Sequence, residues 1–339
     1  MRIHKRVYGV TLTEMMISLA VTAIIIAMVL PILKASRQGF ISAEIQGTLK
    51  ETDQSILTHI SKNLSQCKRI FQRSDDIITR VPVVSVLTGS LLPIKNDNGT
   101  LSPTTVGFSA NTVGDSLFFA RFDLPLDLLC TSTSAVTAPQ GFKEPLRLDT
   151  YRFDYYYLKK NGNNLYVGAN SALDLWEFES IPYVDYGEIQ MIQNFTKSTD
   201  TVGMLYALGY RVAWLPSASS ASNAFYVLYS SGTTSHEAAP SAPHYILTSQ
   251  NNSLLQGVLT GVAGTFKYAI SPNTGASYSV VVPAFAQPLL DFPGGLEVQI
   301  VGNATARQVF MRLVLIGSGY KNETVLYQNT QLTSTRDIW

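Results

Sequence analysis

Gly9 to Leu33 reads GVTLTEMMISLAVTAIIIAMVLPIL, and this run decides the architecture of the chain. Three basic residues, Arg2, Lys5 and Arg6, precede it, and it carries one charge, Glu14, near its start. An apolar run of this length can cross the ~30 Å hydrocarbon core of a bilayer as a helix. A cleaved secretory signal has a shorter apolar region followed by a small-residue cut site, and a plain anchor has no use for a carboxylate. Here the small residue, Gly9, stands before the apolar run.

The order of basic leader, Gly9, Val10-Thr11-Leu12-Thr13-Glu14 and apolar run resembles the class III leader of type IV pilins, pseudopilins and related filament subunits. The resemblance implies cleavage after Gly9 by a membrane-embedded aspartyl peptidase and N-methylation of Val10. It also implies a part in assembly for Glu14, then the fifth residue of the mature chain. Pro31, the twenty-second by the same count, stands where many pilins carry a helix-kinking proline; by itself it is a kink that a membrane helix tolerates. Val10 replaces the commoner phenylalanine and Tyr8 a usual basic residue, departures that bear on the efficiency of processing. An ionised carboxylate in lipid costs at least ~2.5 to 3.5 kcal/mol, so Glu14 calls for a partner. The amine freed at Val10, in the same chain or a neighbour, is one candidate. Snorkelling of Glu14 to the interface is the alternative.

Composition bounds the remainder. The 339 residues carry a formal charge of +1, and charged residues make up 14%, too balanced a charge to imply a nucleic-acid partner. Removing Arg2, Lys5 and Arg6 from the 25 basic residues leaves 22 against 24 acidic ones, a net of −2. The basic leader stays cytoplasmic under the positive-inside rule, which places everything after Leu33 where disulfides form. Cys67 and Cys130 either pair, pinning the helix end to the head, or sit as two separately buried thiols.

From Lys34 the chain turns polar but keeps helical spacing. Ile41, Ile45, Leu49, Ile56, Ile60, Leu64, Cys67 and Phe71 fall on one stripe, with Lys50, Glu51, Asp53, Lys62 and Lys68 off it. The expected plan is a leader at 1–9, a transmembrane half-helix at 10–33, an amphipathic half-helix at 34–73, and a globular head at 74–339. A two-helix arrangement broken near Gly39 is the alternative. Beyond Arg73 the period changes to two. Tyr151, Phe153, Tyr155 and Tyr157 alternate with Arg152, Asp154 and Tyr156 as in a half-buried strand, and a turn at 160–163 leads to Leu165-Tyr166-Val167 as in a hairpin. Further strands are expected at 116–122, 224–230, 245–248, 265–270, 278–282, 296–301 and 309–315. Ser/Thr/Ala/Pro-rich loops are expected at 131–139, 216–223 and 231–243. The fold class is therefore α+β: a long N-terminal helix packed against a mostly antiparallel sheet, with large loop insertions.

Enzyme signatures are absent. His236-Glu237 begins like a zinc-protease motif, but Pro240 stands four residues on. Asp97, Asn98 and Asp115 lack EF-hand spacing, and Lys159-Lys160 reads as a solvated turn rather than a nucleic-acid patch. No cofactor is implied. The head is larger than that of a typical major pilin and among relatives looks most like the large minor pilins of the PilW class and the J-type pseudopilin of type II secretion. The resemblance implies a minor pilin, a structural subunit of a filament tip or priming complex, with a secretion pseudopilin or an adhesive or DNA-capturing tip subunit as alternatives. Its implied partners are other pilin subunits, through their N-terminal helices, and the prepilin peptidase. Its implied location is the inner membrane, single-pass with the head outside the cytoplasm, and then a filament.

Overall fold

The computed structural model describes residues 11–75, 90–97, 113–128, 146–160, 172–185, 205–214, 226–228, 234–235, 244–248, 252–255, 258–259, 265–270, 278–283, 295–318 and 324–337. One helix, Leu12–Ser65, opens the fold. Its 54 residues reach about 81 Å at 1.5 Å per residue. Pro31 lies inside it, and it runs unbroken through Gly39 and Gly47, so the helix is single rather than a pair broken near Gly39. Residues 11–40 are exposed throughout, and the first buried position is Leu49.

The buried face then comprises Leu49, Asp53, Ile56, Leu57, Ile60 and Leu64. This corrects one expectation: Asp53 lies on the apolar stripe, not off it. The heptad step from Leu49 to Ile56 leaves a place four residues after Leu49 on the same face, and Asp53 fills it. A second correction concerns the helix end. The helix stops at Ser65, where the backbone N–H of Gln66 donates to the carbonyls of Asn63 and Leu64. Cys67–Phe71 is a strand, because it completes a ladder beside Leu117–Phe122. Ile70 enters the core beneath the helix and Phe71 the core on the opposite face.

The main sheet has fifteen strands among the described residues, and two of its pairings are parallel. Cys67–Phe71, Leu117–Phe122, Thr150–Lys160, Ala172–Glu179, Asn252–Leu255 and Arg307–Ser318 lie side by side through its middle, all antiparallel. Arg307–Ser318 pairs with Leu296–Val301 along one edge and, over its whole length, with Thr324–Thr335 along the other. The strands expected around 116–122, 265–270, 278–282, 296–301 and 309–315 are present within a few residues of those bounds. Thr150–Lys160 returns as Ala172–Glu179, while Leu165 to Val167 and the loops at 131–139 and 216–223 lie outside the described residues.

The Thr150–Lys160 strand is covered on both faces, not half-buried as its alternation suggested. Tyr156 and Leu158 join the cluster under the helix, with Leu57, Ile60, Leu64, Leu175 and Leu313. Phe153, Tyr155 and Tyr157 join a second, aromatic cluster with Phe71, Phe118 and Tyr183. There the rings of Phe118 and Tyr155 meet edge to face at 5.4 Å, and Phe71 packs tilted against Phe118 at 5.1 Å and Phe153 at 6.0 Å. Aromatic pairs of this kind add ~0.5 to 1.5 kcal/mol each beyond their buried area.

Candidate functional site

The candidate site is the long helix itself, with its two unlike halves. The first half is bare. It holds an 18-residue window of mean hydropathy 2.7 with none of it buried, which makes this helix long and apolar enough to cross a membrane. Thr11 caps its start: the Thr11 backbone N–H and hydroxyl each donate to the Glu14 carboxylate at 3.0 Å, and the Glu14 N–H donates back to the Thr11 hydroxyl at 3.4 Å. This reciprocal capping box satisfies two donors that a helix start otherwise leaves open. The Thr-x-x-Glu spacing that signals it stands in the sequence at Thr11 and Glu14. Gly9 and Val10 lie outside the described residues.

The second half docks under the sheet through an apolar centre flanked by two polar seams. On one side the helix runs along the edge strand Thr324–Thr335. Asn329 Nδ2 donates to Asp53 Oδ2 at 2.5 Å, the Ser61 hydroxyl meets Thr333 Oγ1 at 2.7 Å, and Thr335 Oγ1 donates to the Leu64 carbonyl at 2.7 Å. The second Asp53 oxygen is buried without a partner, and burial pushes the carboxyl up to about 6 against the pull of the Asn329 hydrogen bond. Close approach is possible where Gly317 faces the helix: a Cβ there would stand 2.7 Å from Ile45 Cγ2 and 3.3 Å from both Leu49 methyls.

On the other side the helix reaches Ala172–Glu179. His59 Nε2 lies 2.9 Å from the Glu177 carboxylate, Tyr156 Oη donates to Glu177 Oε1 at 2.6 Å, and Asn63 Nδ2 donates to Tyr156 Oη at 2.8 Å. The hydrogen bond to Glu177 raises the His59 pKa although burial opposes it. Burial works against ionisation of Glu177, but the His59 and Tyr156 hydrogen bonds outweigh it and hold the carboxyl low. Past the helix end a chain of charges continues on the sheet: Arg121 Nε to Asp154 at 2.5 Å, Arg121 and Arg152 both to Glu179 at 3.0 and 2.9 Å, and Arg152 to Asp123 at 2.5 Å.

Other sequence-derived candidates are dispersed. Pro31 sits within the bare half. Cys67 is a free buried thiol, burial raising its pKa far above the usual range, and Cys130 lies outside the described residues. Asp97 pairs with Arg307, whereas Asp115 accepts from Ser90 Oγ at 2.9 Å and the Leu91 N–H at 2.6 Å; Asn98 lies outside the described residues. His236 and Pro240 lie outside them too. Among the described residues no group of three or more His, Cys, Asp or Glu side chains could hold a metal ion. Lys159 lies over the Trp176 ring at 4.8 Å. The two polar seams escaped the sequence reading, since they depend on which strands the helix crosses.

A family model of the prokaryotic N-terminal methylation motif matches residues 4–30, a span that contains Gly9, Val10 and Glu14 and ends one residue before Pro31. No curated protein and no solved structure matches the chain. Residues 4–30 thus carry the N-terminal methylation signal of type IV pilin-like proteins, set at the start of a long helix that packs on a mostly antiparallel sheet.

Proposed function

We propose that this chain is a minor pilin, a structural subunit assembled with other pilin-like subunits at the tip or in the priming complex of a type IV pilus or related filament. The observation that carries the reading is the division of the Leu12–Ser65 helix: a methylation motif and bare apolar half on one side, and a half seated under a sheet on the other. A helix exposed over thirty residues of an otherwise packed protein needs a second apolar environment, which lipid supplies before assembly and neighbouring helices supply after it. In this reading residues 1–9 are removed by the prepilin peptidase, Val10 becomes the methylated terminus, and 10–33 anchor the chain in the inner membrane. The remaining helix holds the head outside the cytoplasm. Glu14 caps its own helix through Thr11 while the subunit is alone and is available to a neighbour's terminal amine on assembly.

Tip placement rests on bulk, since a head spanning 74–339 would crowd a densely repeated shaft. The same bulk favours the PilW class of large minor pilins or the J-type pseudopilin among relatives of this plan. Gly9→Val tests the processing step: an immunoblot should show the chain retained at its precursor mass, and normal cleavage in that variant would overturn the assignment of Gly9. Deleting the gene distinguishes the two systems, because loss of surface pili marks a minor pilin and loss of protein secretion with pili intact marks a pseudopilin.

A further inference from the structure

A cavity of about 740 Å³ opens where the helix ends, between Ser65, the first residues of Cys67–Phe71 and the last residues of Thr324–Thr335. Such a volume falls within the ~300 to 1,000 Å³ of small-ligand sites. Thirty-two residues of helix separate Ser65 from Leu33, roughly 48 Å at 1.5 Å per residue, so the cavity lies at the pole of the helix opposite its apolar half.

Its charges are unbalanced. Lys68 and Arg336 both line it, and neither meets a carboxylate among the described residues. Elsewhere in the head Lys95, Arg121, Arg152, Arg307 and Arg312 each rest on an Asp or Glu, whereas Arg69, Lys159 and Arg211 lie over aromatic rings. Asp149, the acidic group on the wall, has interactions of its own. Two cations around one cavity are suited to an anion.

The hydroxyls narrow the ligand further. Ser65 spends its proton on the Lys62 carbonyl at 2.6 Å and Thr305 on Asn303 Oδ1 at 2.9 Å, so each presents only lone pairs to the cavity. A ligand that fills it therefore brings hydrogen-bond donors as well as negative charge. The Gln66 amide and the Ser334 hydroxyl, both exposed on the rim, can give and accept. The half-exposed Phe122 ring, with Lys68 Nζ 5.8 Å from its centroid, supplies a flat apolar wall. Negative charge, several O–H donors and an apolar face together describe an acidic sugar.

We infer that this cavity binds an anionic saccharide of the uronic-acid class, its carboxylate between Lys68 and Arg336, its hydroxyls on Ser65, Thr305 and Ser334, and a ring face against Phe122. The inference deepens the filament reading, because a tip subunit turns this pole outward. The test is isothermal titration of the full chain in phosphatidylcholine nanodiscs with a galacturonic acid tetramer, a neutral galactose tetramer and inorganic phosphate. The acidic tetramer should bind at least about tenfold tighter than the neutral one, and Lys68→Glu with Arg336→Glu should weaken it by about the same factor or more. Both positions are on the surface; Lys68→Gln with Arg336→Gln gives a milder variant, and circular dichroism checks that each folds. Absence of binding, equal binding of the neutral tetramer, unchanged binding by the variants, or full displacement by equimolar phosphate would each overturn the inference. Filament incorporation of the same variants is scored separately from sheared fractions. A failed titration with normal incorporation removes the saccharide and leaves the filament reading in place, whereas a wild-type chain that binds the sugar but never enters filaments does the reverse.

Discussion

Replacing Asp53 by asparagine probes how the helix is seated beneath the head. Asp53 is fully buried, takes one hydrogen bond from Asn329, and leaves Oδ1 without a partner. Burial raises its pKa from 3.8 to about 6, with the Asn329 bond pulling the other way. At ~1.4 kcal/mol for each unit, keeping this group ionised in the folded state costs at most ~3 kcal/mol at neutral pH. The substitution removes the charge but leaves an unpaired amide that takes back ~1 kcal/mol. The net expectation for Asp53→Asn at pH 7.5 is a gain of ~2 kcal/mol, or about 4 to 8 °C in Tm for a head of this size. The pH dependence follows from the direction of the shift. A carboxyl whose pKa rises on folding holds more protons folded than unfolded between about pH 4 and 6, so the wild type loses stability across that window and no further above it. Asp115, which burial pushes up to about 7, slopes the same way, so the difference between variant and wild type isolates Asp53. Thermal unfolding of the detergent-solubilised chain, followed by tryptophan fluorescence from pH 4 to 8, measures it. A variant no more stable than wild type at pH 7.5, or a difference that persists unchanged to pH 4, would refute the reasoning.

Other consequences concern the same helix. Gly317→Val places a side chain into Ile45 and Leu49, whose nearest atoms stand 2.7 and 3.3 Å from the new Cβ, and should lower stability by ~1 to 3 kcal/mol in urea unfolding, with Gly317→Ala at the low end. His59 has a raised pKa, so its pairing with Glu177 stabilises most below about pH 6.5 and fades as the pH rises through the folded-state value. His59→Gln should therefore cost ~0.5 to 1 kcal/mol near pH 5.5 and little at pH 8.5, a small figure because His59 is partly exposed to solvent. Glu14→Ala should permit leader cleavage, read as mature mass on immunoblots, yet reduce incorporation into sheared filaments; full incorporation would remove Glu14 from the assembly step.

The helix was the most legible part of the chain. An uninterrupted apolar run followed by three- and four-residue spacing specifies a long helix with one packed face, and Leu49, Ile56, Ile60 and Leu64 are among its buried positions, which also include Leu57 and Asp53. Asp53 was misplaced because a carboxylate at a stripe position reads as exposed, and only its partner across the seam, Asn329, makes the burial tolerable. The stretch 67–71 misled for a related reason. Cys67 and Phe71 keep helical spacing, no glycine or proline marks the stop, and the strand arises from pairing with Leu117–Phe122 some fifty residues away. Alternation at 151–157 correctly indicated a strand, but it does not say whether the second face meets water or another core; Arg121 beside Asp154 is what lets a polar position stay buried there. The Thr11 and Glu14 capping box was fully present in the sequence, although the carboxylate's place at the head of an apolar run drew attention to lipid rather than to the helix start. The terminal cavity had no sequence signal, since its walls come from five separate parts of the chain.

The central claim is that the exposed half-helix ends in a processed terminus and enters a filament. Mass spectrometry of sheared surface filaments beside washed membranes tests it through the N-terminal peptide. The account requires a peptide beginning at N-methylated Val10 in the filament fraction. An unprocessed chain beginning at Met1 and confined to membranes would contradict it.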